Sequence, residues 1–195
     1  MHPALFYRPG GRLSLPELTA ARLDGDVIEV GDGYMPADSV EDADARATSV
    51  RELVPAHAAA CGPTAAWIHG AGDAPPGIHH VRRIVSTRTR VPHSPRVMYH
   101  EARASRDDVQ SIGGTRVLTP LATAVELLFA TALTDADDWW LRALLQARST
   151  LLAELSDVVD ASPRRPGRRG AAEHLQKLGA AARRSGQEVV TRYTS

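Results

Sequence analysis

Apolar residues crowd most densely between Leu121 and Leu133, where Pro120 opens a helix that should be buried on most of its circumference. Elsewhere the apolar runs are short and punctuated by glycine and proline. Ser14 can cap a helix from Leu15 or Pro16 to about Leu23, with Gly25 ending it. Val27-Ile28-Glu29-Val30 reads as a strand, Gly31-Asp32-Gly33 as a tight turn, and Tyr34-Met35 as the start of a return strand. A helix from Ser39 to about Val54, capped by Ser39, and a second from about Pro63 to Gly70 are predicted next. Ile78 to Val85 and Arg96 to Ala102 are strand-like, separated from the helices by the Asp73–Gly77 loop. Val109 to Leu118 folds back on itself around Gly113-Gly114. After the apolar helix come helices over about Asp135–Arg148 and Leu151–Val159. A Pro/Gly-rich basic linker, Ser162–Gly170, leads to a last helix over about Ala171–Arg184 and a frayed tail.

Strands followed by a run of helices predict an α+β fold rather than a doubly wound sheet. The expected division is a partial winged-helix element over residues 1–37, an α+β domain over 38–160, and a basic linker with a C-terminal helix over 161–195. The first part earns its description because helix, strand, turn, strand is the second half of a winged helix-turn-helix.

Composition narrows the function classes. A single cysteine, Cys61, excludes an internal disulfide and suits a reducing, cytoplasmic compartment. The N-terminus lacks the apolar run of a signal peptide, and no segment has the length of a membrane span. The formal net charge is zero but unevenly spread. Residues 1–75 and 121–160 are acidic, whereas 76–120 and 161–195 are basic, a blocked pattern that can steer a charged partner.

The chemistry on offer favours binding over catalysis. Neither a phosphate-binding G-x-x-x-x-G-K-[ST] loop nor a G-x-S-x-G elbow occurs. Asp107-Asp108 and Asp137-Asp138 are adjacent pairs, expected to diverge on a strand and to cap a helix, respectively. His69 and His79 flank one loop and are within possible reach of each other, but they do not make a metal site by spacing, and no metal or cofactor is expected. His79 and His100 are expected on strands, bonded to backbone or carboxylates. Lys177 follows Glu173 by four residues and is expected to pair with it. Trp67 reads as core, and of Trp139 and Trp140 one should face inward and one out. The sharpest binding signal is Arg164, Arg165, Arg168 and Arg169 on a Pro/Gly loop, a surface fit for phosphate or an acidic partner. On the first helix, Arg12, Thr19 and Arg22 are the polar side chains available to DNA, beside a wing made acidic by Asp24, Asp26, Glu29 and Asp32.

Several segments taken in order resemble a large group of actinobacterial regulators related to the AbiEi-type antitoxins of type IV toxin–antitoxin systems. They are Leu23-Asp-Gly-Asp-Val-Ile-Glu-Val-Gly-Asp-Gly-Tyr34, Gly62-Pro-Thr-Ala-Ala-Trp-Ile-His-Gly70 and Pro75-Pro-Gly-Ile-His79. Tyr99-His-Glu-Ala-Arg103, Asp107-Asp-Val109, Gly113-Gly-Thr-Arg-Val-Leu-Thr-Pro120 and Thr123-Ala-Val-Glu-Leu127 complete the set, which covers roughly residues 15–180. The resemblance implies a winged helix joined to an α+β domain, a non-enzymatic role, repression of the protein's own operon and neutralisation of a nucleotidyltransferase-like toxin. Some relatives add a nuclease-like domain, which this chain is expected to lack. The chain departs from the pattern in three ways: the first winged-helix helices are missing, the wing is acidic, and Ala122 and Glu126 stand where an arginine and an aspartate are usual. Three readings follow. The first is an antitoxin-like transcriptional regulator that binds operator DNA and a toxin. The second is a protein-interaction module that has lost DNA binding. The third is a degenerate nuclease-related protein using Asp107, Asp108 or Glu173. The oligomeric state is left open.

Overall fold

The computed structural model describes residues 6–87, 94–130, 134–162 and 164–192, the side chains of 181–192 excepted. The fold is α+β, with a two-stranded and a five-stranded sheet and a run of helices towards the C-terminus.

The N-terminal element folds as the local chemistry dictates. Helix α1, Leu15–Asp24, starts in a capping box in which Ser14 and Glu17 satisfy each other's backbone N–H groups, and it stops at Gly25, whose φ of 83° suits only glycine comfortably. Strands β1, Val27–Val30, and β2, Gly33–Pro36, form the expected antiparallel hairpin, with Val30 opposite Gly33. Tyr7 bridges Tyr34 and so adds a short third edge to this ribbon. Leu18, Val27 and Tyr34 make a small buried cluster, with Tyr7, Leu13 and Ala21 packed on it. Val30 and Met35 instead join the main core, so the hairpin is shared between the two clusters.

The five-stranded sheet has the order β5-β4-β3-β7-β6. Its strands are β3, Ala58–Ala60; β4, His79–Arg83; β5, Val97–His100; β6, Val109–Ile112; and β7, Thr115–Leu118. The β6–β7 hairpin is antiparallel, as expected from Gly113-Gly114, whereas β3 runs parallel to β7 and β4 parallel to β5. Strand β3 carries no β-branched residue and no alternation, and the sequence pattern misses it. Its three alanines are fully buried at the sheet centre, where tertiary packing overrides propensity.

Helix α2, Ala43–Ser49, is shorter than predicted and begins later. Asp42, not Ser39, caps it by accepting from the Ala45 N–H, and a 3-10 turn, Arg51–Leu53, follows. Arg46 of α2 is nearly buried. It is ion-paired to Glu41, donates to the carbonyls of Trp67 and Gly72 at 2.8 and 3.0 Å, and lies over the Trp67 ring. Helix α3, Gly62–Ile68, is buried along its whole length, including Trp67. Helix α4, Pro120–Leu128, ends before the predicted Leu133, and residues 131–133 lie outside those described. Helices α5, Asp135–Ala147, and α6, Leu151–Asp160, agree closely with expectation. Trp140 is buried and Trp139 is 51% exposed, packed edge to face against each other. Helix α7, Arg168–Arg192, starts three residues earlier than Ala171 and runs on through the stretch read as frayed. Ala171, Leu175 and Leu178 bind its first half to the core.

Candidate functional site

A cleft of about 880 Å³ opens between the sheet and α4. Strand alternation builds its floor. On β4, His79 and Val81 are buried on one side, while His80 and Arg82 are half-buried and line the cleft. Residue 100 pairs in register with Arg82, which places His100 beside them. Helix α4 contributes Glu126, the one charged residue in an otherwise uncharged helix. The start of α3 supplies Gly62, with Cys61 fully buried just before it. Gly62 has φ of +48°, a conformation that disfavours a side chain, and His80 Nδ1 lies 3.5 Å from where its Cβ would be.

Arg82 Nη2 donates to Glu126 Oε1 at 2.7 Å, and the Gly62 N–H donates to Glu126 Oε2 at 3.3 Å. His100 Nε2 lies 3.2 Å from His80 Nδ1. Cys61 is fully buried beside Arg82 and Glu126. Burial pushes its thiol well above the usual range, and Glu126 adds to the rise. Burial holds both His80 and His100 below the ordinary histidine value, and for His80 the neighbouring His100 adds to the effect. Burial works against the Arg82 charge, but Glu126 outweighs it and raises that pKa. The floor therefore holds one tight ion pair, two neutral imidazoles and a protonated thiol at neutral pH.

Around the mouth stand Arg103, Asp107, Asp108, Asp137 and Arg165. Asp107 and Asp108 do not diverge as a strand would make them. They sit in the turn before β6 and both line the cleft. Asp137 completes a capping box with Thr134, as an acid at a helix start should.

The other sequence-picked groups are spread over the surface, and most are engaged within the chain. Arg12 lies exposed in the turn before α1. The Thr19 hydroxyl donates to the Leu15 carbonyl at 2.8 Å, and Arg22 lies 3.7 Å from Glu29 of the wing. At the wing tip, Asp32 is ion-paired with Arg96. Arg164 is exposed, while Arg165 stacks over Phe129 with its guanidinium carbon 3.9 Å from the ring centroid. Arg168 and Arg169 stand in the first turn of α7, not in a linker. Arg168 donates to the Val159 carbonyl and contacts Asp160, and Arg169 pairs with Glu173 at 3.2 Å. Glu173 thus pairs backwards along the helix, where a partnership with Lys177 was expected.

His69 and His79 do not meet. His69 Nε2 bonds the Leu118 carbonyl at 2.7 Å, and His79 Nδ1 lies 3.4 Å from the Thr64 hydroxyl. His100, expected on backbone or a carboxylate, faces His80 instead. Sequence reasoning missed the cleft because its lining residues are scattered from Gly62 to Arg165. The available signals were a charged residue inside an uncharged helix and the His80-x-Arg82 alternation.

None of the described helices is long and apolar enough to cross a membrane. No curated protein matches the chain. A family model, the AbiEi antitoxin C-terminal domain, matches residues 58–178, from β3 through the part of α7 that packs on the core and including the whole cleft floor. Because that match spans well over half of the 195 residues, the chain belongs to the AbiEi antitoxin family.

Proposed function

We propose that the protein is the antitoxin of a toxin–antitoxin pair, a non-catalytic regulator in the cytoplasm that restrains a nucleotidyltransferase-like toxin and binds operator DNA. The observation that carries this reading is the family match over residues 58–178. In this reading the α+β domain docks the toxin. The N-terminal helix and hairpin act as the DNA-facing part, with Arg12, Thr19 and Arg22 on the helix side. Arg164, Arg165, Arg168 and Arg169 form a second basic surface. Contact by arginine to phosphate predicts binding that weakens steeply with salt. The test is anisotropy with duplex DNA from the gene's own upstream region against a scrambled duplex across a salt series, paired with co-purification of a nucleotidyltransferase-like partner. Preference for the upstream duplex and capture of the partner support the reading. Failure of both removes it.

A second reading, a protein-docking module without DNA binding, is favoured by a specific observation. Arg22, Arg165, Arg168 and Arg169 already have partners within the chain, and the wing beside α1 is acidic. Partner capture without binding to either duplex selects it.

A further inference from the structure

We propose that Cys61, His100 and Glu126 form a binding site for a zinc-class divalent metal at the floor of the cleft. One ligand atom from each of the three lies within 4.8 Å of those of the other two. Zinc bonds to sulfur, nitrogen and oxygen are roughly 2.0–2.3 Å long, so donors around a shared ion stand roughly 3–4 Å apart. The three groups reach that spacing by closing at most about 1–2 Å. They come from three separate elements: the residue before α3, the last residue of β5 and the second half of α4. A mixed thiolate, imidazole and carboxylate set selects zinc or its borderline neighbours over magnesium or calcium, which take oxygen donors.

The surroundings suit a metal in ways the three donors alone do not. Ligating carboxylates and histidines are ordinarily fixed by a second layer of hydrogen bonds. Arg82 holds Glu126 through Oε1 at 2.7 Å, and the Gly62 N–H makes a long 3.3 Å contact to Oε2. His80 Nδ1, 3.2 Å from His100 Nε2, fixes the ring of the histidine ligand. Charge also balances. On binding, the Cys61 S–H bond breaks, its proton passes to solvent, and a sulfur–metal bond forms without any change of oxidation state. The site then gains one net positive charge, facing a cleft mouth where Asp107, Asp108 and Asp137 outnumber Arg103 and Arg165. Three protein ligands leave the fourth position of a tetrahedral ion for water or a Lewis-basic group entering the cleft.

The test uses the full chain, stripped with chelator and titrated with zinc by calorimetry and with cobalt(II) by absorbance. The expected result is one equivalent bound with a thiolate-to-cobalt charge-transfer band. Cys61→Ser abolishes that band, and His100→Ala and Glu126→Gln weaken affinity by tenfold or more. Arg82→Lys, which touches both Glu126 and Cys61 without being a ligand, weakens it by roughly 10- to 100-fold while keeping the band. His174→Ala, whose side chain pairs with Asp138 and not with the three ligands, leaves both intact. Absence of the band at one equivalent, or a band and affinity unchanged in Cys61→Ser, overturns the proposal. Where a variant fails to fold, the wild type decides. Zinc must raise the urea midpoint of the wild type, because it binds the folded chain, and an unchanged midpoint overturns the proposal.

Discussion

Arg82 and Glu126 meet across the cleft at 2.7 Å although 44 residues separate them, and each side chain is less than a quarter exposed. The pair fastens α4 to the sheet. Removing one partner leaves a largely desolvated charge, so Glu126→Gln or Arg82→Ala is expected to cost about 2–4 kcal/mol. The double variant Arg82→Met/Glu126→Leu should cost less than either single change. Urea midpoints at pH 7 check this, and a double variant as unstable as the sum of the singles would refute it.

Gly31 is predicted to tolerate no side chain. Its φ is +54°, and a Cβ there would lie 2.3 Å from Ser49 Oγ and 3.1 Å from the Trp67 ring. Both neighbours are buried, so neither yields easily. Gly31→Ala should lower stability by about 2 kcal/mol or more, read as a fall in Tm. Gly10→Ala serves as the contrast: its φ is also positive but nothing lies within 4 Å, so only the backbone strain remains.

Acid should loosen the fold through His69 before the carboxylates protonate. Burial holds the folded pKa of His69 below 6.5, against a smaller raising effect from its bond to the Leu118 carbonyl. The unfolded chain therefore takes up the proton first. Stability is full above about pH 6.5 and declines as pH falls through that value towards the lower folded pKa. Urea midpoints from pH 7.5 to 5 should fall, and His69→Gln should flatten the fall. An identical slope in the variant would remove His69 from the account.

The wing acid Glu29 is expected to hold Arg22 back from DNA. The two lie 3.7 Å apart and both are about half exposed, so the pair is weak. If α1 faces DNA, Glu29→Gln should tighten binding to the upstream duplex by about threefold at low salt, the worth of one exposed ion pair. Anisotropy that shows no change, or weaker binding, argues that this face does something else.

Of the three tryptophans, Trp139 should supply nearly all the fluorescence that acrylamide quenches, since Trp67 and Trp140 are buried. Trp139→Phe is expected to remove most of the quenchable signal. A partner that covers the α5 face should shield it in the wild type.

Local chemistry made much of the fold readable. Ser14, Gly25, Gly113-Gly114 and Thr134 mark ends that a few neighbouring residues decide, and the elements around them stand where the pattern placed them. Where the sequence misled, a longer range was at work. Ser39 and Asp42 are both competent caps, and the choice of Asp42 accompanies the docking of Arg46 on Trp67 and Gly72. Gly170 reads as a breaker, but it falls in the first turn of α7, where backbone strain is modest and Ala171 behind it is buried. The cleft was the least legible part. Cys61, Arg82, His100 and Glu126 are unremarkable singly, and only the parallel pairing of β4 with β5 and the packing of α4 bring them together.

The parallel pairing of β3 with β7 bears on the order in which the molecule assembles. Ala60 pairs with Val117, so the middle of the sheet stays open on one flank until more than fifty further residues have emerged and found their place. The β1–β2 and β6–β7 hairpins close over short loops and form early, whereas the central strand must wait for a distant one. During synthesis, a nascent chain cut short before residue 117 would expose an alanine-rich strand edge, the kind of surface that chaperones and proteases find first. A variant that slows that closure is therefore expected to be less abundant in the cell.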